Sequence, residues 1–343
     1  VKALLLSDVG RLEYVDLPIP DVGPNDVLVS VRACGICGSD VHGMDGSSGR
    51  RIPPLVMGHE AAGLITAVGP AVPSWRTGDR VTFDSTISCG ECVYCQRGFV
   101  NLCDNRRVLG VSTDDYRRQG AFAEYVSVPH HLLYRLPESV SFVDGAMVEP
   151  LTVAAHAVSR AHPGSDDAVL IVGCGVIGLL IVQMLKAAGC SRTMAVDVDD
   201  YRLEQALSLG AMVAFRSDPG RVVDAVREQT SGQGADVAYE AVGLRSSVEL
   251  TIACLRKGGT AVLVGNLERT VDLPLQAVVT RQLSLLGSVA SAGEYPACID
   301  LIASRSVNVG AVVSVVAPLS EGAAWFERLY RGGEQLLRVV LEP

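Results

Sequence analysis

Residues 168–199 read AVLIVGCGVIGLLIVQMLKAAGCSRTMAVDVD, and this stretch decides the fold. Val169 to Val172 is a short, wholly apolar run of the kind that forms a buried parallel strand. It stops at Gly173, and Gly175 and Gly178 complete a G-x-G-x-x-G pattern. Val176 to Ala188 then reads as a helix with few polar residues, and Thr193 to Val196 as a second strand ending at Asp197. Strand, glycine turn, helix and strand in this order form the nucleotide-binding βαβ fingerprint. Gly173 permits the tight turn, Gly175 lets backbone approach a pyrophosphate, and Gly178 lets the helix close on the strand. Val176 and Ile177 open the helix, whose N-terminal partial charge suits phosphate. Asp197 stands 19 residues after Gly178, where a carboxylate accepts both ribose hydroxyls and repels a 2′-phosphate. The expected cofactor is NAD rather than NADP, although Arg202 is close enough to complicate that choice. Val242, in the turn after a later strand, joins the expected cofactor residues.

Outward from this unit the texture of the chain divides. Residues 1 to about 140 hold short strand-like runs (Val1–Leu6, Leu12–Asp16, Val27–Ala33, Ala61–Val68, Val81–Phe83), prolines between them, and only a short turn near Ser39–Met44 as a helix. Gly145 to His156 reads as a helix broken by Pro150. Strands and helices then alternate to about residue 289 and give about six parallel strands. Pro296–Ala303 and Gly322–Tyr330, the latter capped by Ser320, read as helices; Val312–Val316 and Leu336–Leu341 read as strands. The expected fold is α/β: a β-rich catalytic domain at 1–152, an inserted doubly wound nucleotide domain at 153–292, and a return segment at 293–343 that completes the first. The active site is expected in the cleft between them.

With 343 residues, 48% hydrophobic residues and a net charge of −9, the chain is long enough for a large core and carries no basic stripe. Nucleic acid and anionic membrane are therefore not expected partners. The apolar run after Gly175 is interrupted by Gln183 and Lys186, too soon for a membrane span. With no stretch that reads as a signal peptide, the expected location is the cytoplasm. Ten cysteines are many for such a protein, and in a reducing compartment a tight cluster argues for metal before disulfide. Cys89, Cys92, Cys95 and Cys103 follow C-x2-C-x2-C-x7-C, which lets four thiolates wrap one Zn²⁺ tetrahedrally in a closed structural site. An iron–sulfur cluster is the alternative metal reading. Cys174, Cys190, Cys254 and Cys298 lie singly in apolar stretches and read as core, as does Cys34.

A second set of metal-ligand types is dispersed: Cys37 in CGSDVH, His59 and Glu60 in GHE, and Glu149 in VEP. Adjacent side chains diverge on a strand, so joint ligation by His59 and Glu60 needs a turn. Read alone, His59 is equally a satisfied core histidine and Glu149 a helix-start residue. Together with a dinucleotide fold, the set points to hydride transfer from an alcohol that a metal polarises.

Over its whole length the chain resembles the zinc-dependent medium-chain dehydrogenase/reductase superfamily. The resemblance rests on GICGSDVH at 35–42, GHEAAG at 58–63, GDRV at 78–81, CGECVYC at 89–95, GAFAEY at 120–125 and VEPL at 148–151. The polyol dehydrogenase branch (sorbitol/L-iditol or galactitol-1-phosphate type) is nearest, with L-threonine dehydrogenases close. The resemblance implies a GroES-like first domain, one catalytic and one structural zinc per chain, NAD, and a homodimer or homotetramer. It implies that Cys37, His59 and Glu149 ligate the catalytic zinc, with Glu60 ligating or exchanging with water. Ser39 would take the substrate proton, His42 would relay it to solvent, and Asp40 would support a ligand histidine from behind. Where sorbitol dehydrogenases carry an arginine–tyrosine pair in the pocket, this chain has Val289-Ala290-Ser291. Ser39, Phe83, Thr86, Glu149 and Glu294 are the expected pocket residues; Arg50, Arg51, Arg106, Arg107, Arg117 and Arg118 are either surface charge or phosphate ligands. The expected reaction oxidises a secondary hydroxyl of a polyol to a ketone; a polyol phosphate and L-threonine are the alternatives. A zinc-free quinone reductase and a non-enzymatic NAD-binding protein are the contrasting classes.

Overall fold

The computed structural model describes residues 1–343, the side chain of Pro219 excepted. Two compact units make up the chain: Pro150–Ser291 is one, and Val1–Glu149 with Ala292–Pro343 is the other. No helix among the described residues is long and apolar enough to cross a membrane.

The unit at 150–291 is a six-stranded parallel sheet. Its strands are β1 (Val169–Val172), β2 (Thr193–Asp197), β3 (Val213–Arg216), β4 (Ala235–Glu240), β5 (Leu255–Leu263) and β6 (Ser284–Gly287). Their spatial order is β3-β2-β1-β4-β5-β6, so the order reverses between β1 and β4. Val169 pairs with Thr193 on one side and Val237 on the other, and this central position explains why β1 is apolar on both faces. The crevice for a dinucleotide in such sheets lies at that switch point, beyond the strand ends. The helix Val176–Ala187 starts there, with Gly175 as its N-cap.

The glycines divide by task. Gly173 has φ +97°, and a Cβ on it would stand 2.4 Å from a methyl of Val242. A Cβ on Gly178 would stand 1.9 Å from the carbonyl oxygen of Gly173, so the helix can close only on a residue without a side chain. A Cβ on Gly175 would meet nothing within 4 Å.

The other unit is built on a seven-stranded sheet. Its path runs Leu133–Arg135, Arg80–Phe83, Glu60–Val68, Asp26–Gly35, Arg338–Glu342, Val313–Pro318, with Tyr125–Pro129 also paired to Asp26–Gly35. Asp26–Gly35 is central, and register shifts at Leu28/Val29 and Val31/Ala33 mark bulges. These bulges are why Leu28 and Val31 depart from strict alternation and are nevertheless buried. Ala3, Leu4, Val29, Ile65, Phe83, Phe122, Phe326 and Leu341 belong to one core beneath the sheet.

Two local expectations are corrected. Pro150 does not break a helix: Phe142–Ala146 ends before Met147, and Val148–Ala161 runs on with Pro150 in its first turn, where a missing N–H is tolerated. Ser320 does not cap the helix Gly322–Arg331; it lies inside the 3₁₀ turn Leu319–Glu321, and no side chain caps that helix.

Gly178→Val should lower the midpoint of urea unfolding by the equivalent of about 3 kcal/mol, whereas Gly175→Ala should cost about 1 kcal/mol or less. Equal losses would mean that the close approach at Gly178 is not what the helix depends on.

Candidate active site

Three strand ends converge on one buried cluster. Gly35 pairs with Glu60 on one side and Val340 on the other. A Cβ on Gly35 would come within 2.4 Å of a Glu60 carboxylate oxygen, so glycine there makes room for the acid. Gly58, at φ +94°, supplies the turn that the adjacent pair His59 and Glu60 requires; the strand begins only at Glu60. Cys37 stands just before the seven-residue helix Gly38–Met44, which carries Ser39, Asp40 and His42. Donor atoms of Cys37, His59 and Glu60 all lie within 4.8 Å of one another.

The electrostatics of this cluster are set by burial. His59 is 8% exposed, Glu60 1% and Asp40 0%. Burial alone would raise the Cys37 thiol, but the hydrogen bond and charge of His59, helped by Arg338, bring it down to about 6. Burial would also lower His59; the Asp40 carboxylate, with Nδ1 to Oδ2 at 3.4 Å, holds it well above the usual histidine range. Asp40 is kept down at about 2 against its own burial by His59 and Arg51. Burial pushes Glu60 up to about 8 despite Arg338, whose guanidinium is 3.2 Å from its Oε1. Neither Glu60 oxygen has a hydrogen-bond partner of good geometry. A thiol, an imidazole and an under-satisfied carboxylate at this spacing fit a zinc ion.

Glu149 is outside that three-residue group. It sits half-buried in the first turn of the helix Val148–Ala161, where burial pushes its carboxyl up to about 8; His59 and Glu60 are among the charges acting on it. It is thus both a helix-start residue and a neighbour of the cluster. Ser39 and His42 are exposed, three residues apart on one short helix. Of the expected pocket residues, Phe83 is fully buried in the core, and Thr86 is buried with its N–H on Asp84 Oδ1 at 2.7 Å. Burial raises Asp84 itself to about 6, Arg106 and Glu294 being among the charges around it.

The four remaining metal-type cysteines also converge. The sulfurs of Cys89, Cys92, Cys95 and Cys103 lie within 4.8 Å of one another. The Cys89 N–H donates to Cys103 Sγ at 3.2 Å, and the Cys92 N–H to Cys89 Sγ at 3.4 Å. Backbone N–H groups bring Cys92 down to about 6, while burial pushes Cys95 up to about 12. The surrounding lobe has little core: Val93, Tyr94, Phe99 and Leu102 are all exposed. Four sulfurs with no spare ligand fit a closed zinc site. Cys34, Cys174, Cys190, Cys254 and Cys298 are buried and free.

In the nucleotide unit, Asp197 Oδ2 accepts from the Cys174 N–H at 2.6 Å and Oδ1 from the Asp199 N–H at 3.0 Å. Arg202 comes to 4.0 Å. Gly175, Val176, Ile177 and Val242 form a half-exposed rim. The open space over Gly175 is a cradle that a side chain would enter, and it fits a pyrophosphate at the helix start.

Three residues escaped the sequence reading. Arg338 is the one charged residue in the apolar run Leu336–Leu341, and that isolation was the available signal. Arg51, grouped with the loop arginines, is 6% exposed and bound to Asp40, so it is not a surface charge. Glu240 is fully buried at the end of β4 and accepts the N–H groups of Val242 (3.0 Å) and Gly243 (2.8 Å), fixing the turn over Gly173.

Residues 23–138 match the family described as alcohol dehydrogenase GroES-like domain, and residues 176–304 the family described as zinc-binding dehydrogenase. D-xylulose reductase A of Aspergillus niger is 36% identical over 339 residues, 96% of this chain and 94% of that protein. A zinc-binding dehydrogenase of Sinorhizobium meliloti 1021, solved bound to NADP, is 33% identical with a TM-score of 0.92, covering 100% of this chain and 99% of that one. Galactitol-1-phosphate dehydrogenase from Escherichia coli is 27% identical with a TM-score of 0.91, covering 100% of both chains. The chain belongs to the zinc-dependent medium-chain dehydrogenase/reductase superfamily, in its polyol dehydrogenase branch.

Proposed function

We propose that this chain oxidises a secondary hydroxyl of a polyol to a ketone and delivers the hydride to NAD⁺. The observation that carries the reading is the Cys37–His59–Glu60 donor group within 4.8 Å, with His59 and Glu60 buried and both Glu60 oxygens unmatched, in a chain that also carries the dinucleotide fingerprint. Zinc, when bound, supplies Lewis acidity at the substrate oxygen, and NAD⁺ supplies the hydride acceptor. Cys37, His59 and Glu149 would hold the metal, and Glu60, which faces Arg338, would be the further ligand or give its place to water. Ser39 receives the substrate proton, and His42 passes it to solvent. Asp40 orients His59 through Nδ1, leaving Nε2 for the metal. Gly173, Gly175, Val176, Ile177, Gly178, Asp197, Arg202 and Val242 bind the cofactor, and Cys89, Cys92, Cys95 and Cys103 hold a structural zinc.

The likeness to a galactitol-1-phosphate dehydrogenase supports a polyol phosphate as the second reading; L-threonine comes third. The cysteine cluster at metal-ligand spacing supports a reducing, cytoplasmic location. Apolar exposure at Leu275, Val279 and Val289, near the edge strand β6, supports a homodimer or homotetramer.

The zinc-loaded protein should form NADH fastest with free polyols in a panel that includes polyol phosphates, L-threonine and simple secondary alcohols. Cys37→Ala or His59→Ala should cut that rate about 1000-fold, the equivalent of several kcal/mol of lost charge stabilisation, with NAD⁺ affinity unchanged. Wild-type rates in either variant would refute the metal reading. Asp197→Ala should weaken NAD⁺ about tenfold and narrow its preference over NADP⁺; tighter NADP⁺ binding by the parent protein would reverse the cofactor assignment. Cys95→Ser should lower zinc from two to one per chain and open residues 86–118 to proteolysis, and a full complement of zinc in that variant would remove the structural site.

A further inference from the structure

Arg50 and Arg51 are adjacent, yet only Arg50 is exposed. The Arg51 side chain runs inward beneath the helix Gly38–Met44, in space that a side chain at Gly43 would fill: a Cβ there would come within 2.5 Å of Arg51 Cγ. Its guanidinium forks. Nε and Nη2 both donate to Asp40 Oδ1, at 3.2 and 2.8 Å, and Nη2 also reaches Ser39 Oγ at 3.5 Å. Nη1 donates to the Arg50 carbonyl at 3.1 Å. The other Asp40 oxygen faces His59 Nδ1 at 3.4 Å. One planar cation therefore touches both the serine of the proton path and the acid behind a metal-ligand histidine.

The donor inventory gives this contact a direction. A guanidinium carries only donors, so Ser39 Oγ is the acceptor. A serine hydroxyl has two lone pairs and one proton. With Arg51 on one lone pair, one remains for the substrate hydroxyl proton, and the serine's own O–H is left to donate onward. We propose that Arg51 is a positioning residue that holds Ser39 in this one-way arrangement and locks it to the Asp40–His59 pair. The proposal deepens the dehydrogenase reading and rests on it. In the step it serves, NAD⁺, when bound, would take up the substrate C–H hydrogen with its electron pair. The substrate O–H breaks as a new Ser39 O–H forms, and the serine's former proton leaves towards His42. Ser39 ends as it began, and the Arg51 N–H bonds stay intact.

The test is a double-mutant cycle. Arg51→Met and Arg51→Lys are made alone and on Ser39→Ala, with turnover, zinc content, NAD⁺ dissociation constant and thermal midpoint measured for each. With Ser39 present, each Arg51 variant should lose about 10- to 100-fold in kcat and retain its zinc and its NAD⁺ affinity. On Ser39→Ala the same changes should cost less than about twofold, because a residue that acts through another has nothing left to act on. The same fold-loss in both backgrounds, or loss of zinc from Arg51→Lys, would overturn the proposal. If Arg51→Met fails to fold because Asp40 loses its guanidinium partner, Arg51→Lys, which keeps the charge and loses the planar fork, carries the test alone. Failure of the wild-type protein on every alcohol would instead remove the underlying dehydrogenase reading, and an undiminished rate in Ser39→Ala would remove its proton path.

Discussion

Buried charge is the constraint on which the rest of this structure depends. Asp40, Glu60, Arg51 and Arg338 are each 6% exposed or less, and His59 8%. Ions removed from water must be met by counter-ions and hydrogen bonds, or they neutralise. Here the compensation comes from distant parts of the chain. Arg51 arrives from a loop, Arg338 from a strand near the end of the sequence, and Asp40 from a short helix. The fold is the device that brings these charges together, and the glycines at 35 and 43 clear the space for Glu60 and Arg51. The metal-type residues are exposed to the same constraint. Burial pushes Glu60 up to about 8, whereas His59, helped by Arg338, draws Cys37 down to about 6 against its own burial.

The nucleotide unit works under a different constraint, steric rather than electrostatic. Its sheet places β1 between β2 and β4, and the turn at Gly173 is closed from above by Val242 and from the side by the helix at Gly178. Glu240 holds the 241–243 turn through two backbone N–H groups. Of the three fingerprint glycines, Gly175 alone has open space around it. Tight packing around one open glycine is what a backbone needs if it is to accept a pyrophosphate without moving.

Much of this was legible because it depends on local pattern. An apolar run, three glycines at fixed offsets and a terminal aspartate are all encoded within 30 residues, and the observed elements agree with that reading to within a residue or so. The cysteine cluster was legible for the same reason. Contacts between distant segments were not. Arg51 looked like one of several loop arginines because its burial follows from the cavity beside Gly43, which no pattern announces. Phe83, one of the expected pocket residues, is fully buried in the core. Pro150 was read by its general habit as a breaker, although in a first helical turn it costs no hydrogen bond. Glu149, a ligand only by resemblance to the family, lies beside the compact donor group rather than within it.

The pairing of Arg338 with Glu60 has a temporal consequence. The two residues are neighbours across the sheet, yet the whole nucleotide unit, residues 150–291, lies between them along the chain. A ribosome delivers residue 60 long before residue 338. The nucleotide unit is a continuous segment and can close as soon as it emerges, whereas the other unit must keep its sheet open beside Gly35 until the last strand arrives. The counter-ion of Glu60 is therefore set in place only after the whole intervening segment has been made, later than any of the metal-type residues themselves.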